Sequence, residues 1–191
     1  MKKRTKLWAG GVVVFLGLIS FFIGLKFHSF SASGEVSKEN VQQNIGWNTY
    51  KNHGFSIEYP PEYLVSEGKD KDITSFIFSD GAGGGFTGFI SFTEATSTLK
   101  EFLVASDKIA ETANEGQPAS EILESEDVNI KDYEAVIREE NWLAPGFLTK
   151  VAYIKIEEKV YVFSLLPKAE DSYTESEAEV FQKFVESFKL L

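Results

Sequence analysis

The chain has 191 residues, no Cys, 43% hydrophobic residues and a formal charge of −10 at pH 7. This length and apolar content are sufficient for a buried core, so a wholly disordered protein is excluded. The absence of Cys excludes disulfides, thiolate catalysis, cysteine-ligated metals and acyl attachment at a cysteine.

The N-terminal segment is basic and then strongly apolar. Four cations in residues 1–6 precede the uncharged stretch Leu7–Leu25. As a helix this stretch spans about 28 Å, close to the ~30 Å hydrocarbon core of a bilayer. Cations on the N-terminal side favour a cytoplasmic N-terminus. We therefore predict a cytoplasmic tail at 1–6 and a single transmembrane anchor at 7–27, which places the rest of the chain outside the cytoplasm, at the cell membrane.

A cleaved signal peptide is the alternative interpretation of this segment. The apolar region of a signal peptide normally has about 7–15 residues, which is shorter than this one. However, the small residues Ser31 and Ser33 offer a signal peptidase a place to cut. Both alternatives export the domain. Residues 28–45 are small and polar and predict a flexible linker.

The remainder of the chain is acidic. Residues 35–191 hold 14 Lys and Arg and all 29 Asp and Glu, a formal charge of −15. Such a surface repels phosphate backbones, so no nucleic-acid partner is expected. It is suited to solvation, or to attracting cations or a basic partner.

The predicted domain, residues 46–191, begins with two strands. Phe55, Ile57 and Tyr59 alternate with polar residues, as in a half-buried strand. A shorter run, Trp47–Tyr50, precedes it, and the sequence KNHG between them is typical of a tight turn. Pro60 and Pro61 then end the strand. The aromatic residues are therefore predicted to face a core rather than to form an exposed patch.

Further strands and two helices follow. The strands are predicted at Ser75–Ser79, Phe86–Glu94, Asp132–Trp142, Phe147–Ile156 and Lys159–Leu166. Their short connections indicate an antiparallel sheet. The helices are predicted at Leu99–Ala113 and Glu175–Phe188. Thr98 with Glu101, and Thr174 with Glu177, match capping boxes at the two helix starts.

Three segments resemble the PsbP-like domain family. WNTYKNHGFSIEYP resembles its opening motif, in which a Trp-x-x-Tyr turn leads into a Gly-Phe-Ser strand that ends at Tyr-Pro. KVYVFSLL resembles the family's last strand, and FQKFVESFKLL resembles its closing helix. These segments cover the two ends of residues 47–191, and the middle matches in element order.

The resemblance implies an α+β fold, an α/β/α sandwich in which helices flank a central antiparallel β-sheet, here preceded by one N-terminal transmembrane helix. Photosynthetic members of the family are extrinsic subunits of photosystem II that help to retain calcium and chloride. A eukaryotic relative binds a small GTPase. This chain resembles the membrane-anchored bacterial type, and no functional residue is carried over from the family.

The glycine-rich segment between the third and fourth predicted strands is the most suggestive local sequence. Glycine-rich loops bind phosphates because several N–H groups converge on the ligand, but the Gly-Lys-Ser/Thr that completes such a loop is missing here. A hairpin loop is the simpler interpretation. Because loops often carry function, this segment supplies the candidate ligand-binding residues. They are Asp80, Gly83, Gly84, Gly85 and Phe86.

The other chemical motifs are weak. Ser97 and Lys100 match Ser-x-x-Lys, but its companion motifs are missing. The two His residues, His28 and His53, lack zinc spacing and an identifiable catalytic partner. Acidic residues cluster before and within the strand that begins near Tyr133, without a twelve-residue calcium loop. We predict no catalytic residue and no resident cofactor. Binding of Ca²⁺ or another divalent cation stays open.

The sequence therefore predicts a non-enzymatic, membrane-anchored extracytoplasmic domain that binds a protein partner near the membrane. The first alternative is a cation- or small-ligand-binding module that uses the acidic surface and the glycine-rich loop. The second is a cell-envelope hydrolase with a site built from scattered carboxylates.

Overall fold

The computed structural model describes residues 46–70, 73–81, 84–92, 97–111, 117–143, 146–168 and 171–191. The predicted tail, anchor and linker at 1–45 lie outside these residues. Among the helices that are described, none has both the length and the apolar character needed to cross a membrane.

A small antiparallel sheet joins the two ends of the domain. It consists of β1 (Asn48–Asn52), β2 (Phe55–Tyr59) and β10 (Lys189–Leu190), with β2 in the middle. The β1–β2 turn places His53 and Gly54 at φ values of 52° and 80°, the left-handed region that tight hairpins require. Phe55 and Ile57 are fully buried, so the prediction that these aromatic and aliphatic residues form core is confirmed.

A larger antiparallel sheet contains the other seven strands of the described residues. They are β3 (Leu64–Asp70), β4 (Ile73–Ser79), β5 (Gly85–Phe92), β6 (Ser120–Ile130), β7 (Tyr133–Trp142), β8 (Phe147–Ile156) and β9 (Lys159–Leu166). Their order across the sheet is β3-β4-β5-β9-β8-β7-β6. The last of these strands in the chain, β9, therefore lies at the centre, and β3 and β6 form the two edges.

Two helices begin at the predicted caps. They are α1 (Leu99–Ala110) and α2 (Glu175–Ser187). Thr98 and Thr174 each accept a hydrogen bond from the backbone N–H three residues on, and Glu101 and Glu177 bond back to the cap N–H. Both predicted capping boxes are confirmed.

The helices pack on opposite faces of the large sheet. Along β8, Val151 and Tyr153 belong to the cluster under α1, whereas Ala152 and Ile154 belong to the cluster under α2. The α2 side is built from aromatic rings, and the ring of Phe184 lies 4.4 Å from that of Phe86. Truncation of such a fully buried Phe to Ala costs about 3–5 kcal/mol of stability.

The predicted mixed α+β class, with a large antiparallel sheet and two helices, is confirmed. Sequence analysis did not anticipate β3, β6 and β10, nor the separate three-stranded sheet. The strands at Phe147–Ile156 and Lys159–Leu166 have the predicted bounds.

Candidate functional site

The glycine-rich segment connects β4 to β5, as predicted. Of its five candidate residues, Gly83 lies outside the described residues. The carboxylate of Asp80 is 2.5 Å from Lys168 Nζ, and only 8% of the Asp80 side chain is exposed. This hydrogen bond and the charge of Asp80 raise the pKa of Lys168. Asp80 therefore anchors the loop to the segment that follows β9.

At two glycines in this segment, neighbouring atoms lie so close that an added side chain would collide with them. A Cβ on Gly84 would stand 2.3 Å from Lys168 Cγ. A Cβ on Gly85 would stand 2.1 Å from the carbonyl oxygen of Phe78, and Gly85 has a φ of 151°. The fold itself therefore requires Gly85, whether or not a ligand binds.

Next to this segment is a groove of about 520 Å³. It lies between the turn after β2, the start of β5, the end of β9 and the first turns of α2. Its apolar lining residues are Trp47, Pro60, Pro61, Tyr63, Phe86, Leu165 and Val180. Its polar lining residues are Glu62, Lys168, Thr174, Ser176 and Glu177, together with the backbone at Gly85. Phe86 and Gly85 are thus brought to one concave surface with residues from both ends of the domain.

The apolar wall follows from local sequence. Pro60 and Pro61 end β2, and the N–H of Tyr63 donates to the carbonyl of Pro60 at 3.1 Å, which closes the turn. The Tyr63 ring is then 5.3 Å from that of Phe86. Burial raises the pKa of Tyr63, so its hydroxyl stays protonated at neutral pH. Phe86 itself is 1% exposed and forms the floor of the groove.

Trp47 forms the part of the wall nearest the predicted linker. Its ring lies under Lys183 of α2, with Nζ 4.1 Å from the ring centroid. This cation–π contact fixes a half-buried indole at the groove. Trp47 is therefore both wall of the groove and one of the first described residues of the domain.

At the polar end of the groove, the carboxylate of Glu177 is hydrogen-bonded to groups of the chain itself. One oxygen of Glu177 accepts from the backbone N–H of Lys168 at 3.0 Å, and the other accepts from Thr174 in the capping box. Although burial acts to raise it, these backbone hydrogen bonds lower the pKa of Glu177. Glu177 is therefore a fixed anion, poorly suited to take up a proton as a general base near pH 7.

Two of the carboxylates considered for catalysis, Glu139 and Glu140, do not converge. Glu139 and Glu140 are neighbours on β7 and point to opposite faces of the sheet. Glu139 accepts a hydrogen bond from the hydroxyl of Tyr173, whereas Glu140 is 3% exposed beneath α1. Within the described part of the chain, no group of three or more His, Cys, Asp or Glu residues is placed to hold a metal ion.

The buried carboxylate of Glu140 belongs to a polar network under α1. Tyr153 and Trp142 donate to the two oxygens of Glu140 at 2.9 and 3.2 Å. Beside it, Arg138 forms a two-pronged pair with Asp107 of α1 at 2.6 and 3.0 Å. Burial raises the pKa of Glu140. This network holds α1 to the sheet.

Sequence patterns did not predict the groove, because the residues that line it are distant from one another in the chain. Only Gly85 and Phe86 were candidates, and Trp47 was predicted to face the core. Phe86 is core, whereas Trp47 and Tyr63 remain partly exposed. The local signal in the sequence is the pair Pro60-Pro61, followed two residues later by the aromatic residue Tyr63.

Comparisons with known proteins show a shared fold. The chain matches no protein-family model and no curated protein. It is similar to the solution structure of cyanobacterial PsbP (CyanoP) from Synechocystis, with a TM-score of 0.58 and 15% identity over 80% of this chain and 99% of that one. It is also similar to the Ran-binding protein Mog1p of Saccharomyces cerevisiae, with a TM-score of 0.50 and 14% identity over 77% of this chain and 96% of that one. The prediction of a PsbP-like fold is confirmed, and identities this low show the fold alone.

Proposed function

We propose that the chain is a membrane-anchored, extracytoplasmic, non-enzymatic domain that binds a protein partner near the membrane through the groove between Trp47 and α2. The observation that carries this proposal is the composition of the groove. Partly exposed aromatic and proline side chains lie over a fully buried Phe floor, and such rigid apolar surfaces are enriched at binding interfaces.

The position of the groove supports a partner close to the bilayer. Trp47 lines it, and the predicted anchor ends at residue 27. A flexible linker of the intervening length has a root-mean-square span of about 25 Å. A domain on such a linker therefore presents its groove to proteins in or beside the same membrane.

The likeness to a Ran-binding protein supports protein recognition as a use of this fold. The fixed anion at Glu177 supports a binding role over hydrolysis at the groove. No catalytic residue is proposed.

A small ligand is the second candidate occupant. The groove volume falls within the roughly 300–1,000 Å³ typical of small-molecule sites. A divalent cation is less well supported, because the described lining of the groove holds only two carboxylates, and one of them caps α2.

The test is photo-cross-linking of the full-length chain in its own membrane. A benzoylphenylalanine at Ser176, which is exposed and lines the groove, is expected to give a discrete protein adduct. The same probe at Val104, which is 60% exposed on α1, is the control and should give none. Tyr63→Ala should reduce the adduct, whereas Leu64→Ala, at a 74% exposed neighbour outside the groove, should leave it unchanged.

Thermal unfolding separates the two candidates. A small ligand at about 100 times its Kd should add about 2.7 kcal/mol of stability. A saturable shift with a metabolite, with no protein adduct at Ser176, would replace the protein partner by the small ligand. Equal adducts at Ser176 and Val104 would contradict recognition through the groove.

A further inference from the structure

The outer edge of β6 is a long exposed strand edge, separate from the groove. The strand has 11 residues and pairs with β7 on one side only, and no strand among the described residues pairs with its other side. Every side chain from Glu121 to Asp127 is exposed. The unpaired N–H and C=O groups of such an edge are a template for another strand.

One face of this edge carries a row of carboxylates. Glu126 lies directly opposite Ile137, which packs against the α2-side core, so Glu126 projects on that face of the sheet. The strand alternation, with a bulge between Ile122 and Glu124, places two more carboxylates on the same face. The row consists of Glu121, Glu124 and Glu126.

The native fold places a further carboxylate, from β7, beside this row. Glu124 is directly opposite Glu139 of β7, an arrangement that destabilises a strand pair. Tyr173 donates to Glu139, and burial together with the charges of Glu139 and Glu124 raises the pKa of Tyr173. Charged side chains of either sign protect a strand edge against aggregation, so protection alone does not explain a negative edge. A cation beside Glu124 would in addition relieve the repulsion.

An apolar corner adjoins the carboxylates. Ile122, Leu123 and Leu143 are 41%, 50% and 47% exposed, and they account for half of the large exposed hydrophobic side chains among the described residues. The N–H of Leu143 donates to the carbonyl of Ala119 at 3.0 Å, which holds the corner together. The edge therefore offers backbone hydrogen bonds, negative charge and an apolar contact within one strand length.

We propose that the outer edge of β6 binds an extended basic segment of a protein partner, which adds to the sheet as a further strand. Lys or Arg side chains at alternate positions face the carboxylate row, and apolar side chains between them contact Ile122 and Leu123. A second copy of the chain fits poorly, because antiparallel pairing of two β6 strands about Ser125 places Glu124 opposite Glu126. The charge of the edge thus selects against self-association and for a basic strand.

Defined peptides test this proposal on the full-length chain in detergent, by fluorescence anisotropy at fixed ionic strength. The first probe is a peptide of alternating Lys and Val as long as β6. The second replaces each Lys by Glu, and the third keeps Lys and Val but carries an N-methyl group on every second backbone nitrogen. We expect saturable binding of the Lys–Val peptide and no binding of the Glu–Val peptide. The N-methylated peptide should bind with an affinity lower by about tenfold or more, because its methylated nitrogens cannot donate strand hydrogen bonds.

Charge reversal locates the site. The double variant E124K/E126K should bind the Lys–Val peptide with an affinity lower by about tenfold or more, and it should bind the Glu–Val peptide. The matched control, E179K/E186K, makes the same charge change on the exposed face of α2 and should retain the parent affinity.

Three results would overturn the proposal. Equal weakening by both double variants would show general electrostatic attraction. Undiminished binding of the N-methylated peptide would show that no strand is added. Concentration-dependent dimerisation that E124K/E126K alters would show that the edge pairs with a second copy.

Discussion

Gly85 is a candidate ligand residue that the fold itself requires. Its Cβ would collide with the carbonyl oxygen of Phe78, and its φ of 151° is rarely adopted by residues with a side chain. We expect Gly85→Ala to lower the free energy of unfolding by about 1–3 kcal/mol or more, measured by urea denaturation. Gly46→Ala, where no atom lies within 4 Å, should change it by less than about 0.5 kcal/mol. Equal effects of the two changes would contradict the steric explanation.

Glu140 is the residue at which stability should depend on pH in an unusual direction. Because burial raises its folded-state pKa, its contribution is fully present below the unfolded pKa of about 4.3 and is lost as pH rises through the folded pKa. The Glu140→Gln variant does not ionise at this site. Its stability relative to the parent should therefore increase with pH above about 4.3, by up to about 1.4 kcal/mol per unit.

Urea unfolding at a series of pH values measures this difference. All other ionisable groups are common to both proteins, so the difference reports Glu140 together with its coupling to Asp107, Arg138 and Tyr153. Glu186→Gln, at an exposed site on α2, controls for loss of a charge. A stability difference that stays constant with pH would show that Glu140 titrates alike in the folded and unfolded chain.

At the scale of elements, the β6–β7 pair places two carboxylates, Glu124 and Glu139, directly opposite each other. Glu124→Gln removes one of two carboxylates that stand opposite each other, and it should stabilise the domain by about 0.2–1 kcal/mol. Glu121→Gln, on the same strand and opposite the neutral Asn141, should have a smaller effect. Thermal unfolding at low and high salt checks this, because added salt screens the repulsion. A larger gain at Glu121 would contradict the pairing argument.

Elements with a strongly buried face were predictable, as was β1 from the turn that follows it, whereas β3, β6 and β10 were not. β2, β8 and β9 have apolar patterns set by the core, and the two capping boxes fixed the helix starts. β6 has seven consecutive exposed side chains and so no alternation to detect. β10 has two residues and exists only because β2 pairs with it. The candidate groove needs Trp47 and Lys168 together, a proximity that no local pattern encodes.

At the scale of the whole molecule, membrane orientation is the prediction with the widest consequence. The natural chain has no Cys, so single cysteines can be labelled without background. A membrane-impermeant maleimide should label Val104→Cys in intact cells, because this position is exposed on the domain that we expect outside. Thr5→Cys, in the predicted cytoplasmic tail, should be labelled only after permeabilisation. The opposite pattern would place the domain in the cytoplasm.

The central position of β9 determines when this domain can fold. Among the described strands, β3-β4-β5 and β6-β7-β8 form two separate meanders that β9 alone joins, and β9 comes after both in the chain. Its pairing with β5 closes a long loop, which slows folding relative to local hairpins. A chain emerging N-terminus first therefore exposes two incomplete half-sheets until residue 166 has appeared. A nascent or prematurely stopped product that ends before Lys159 should be a substrate for proteases rather than a smaller folded unit.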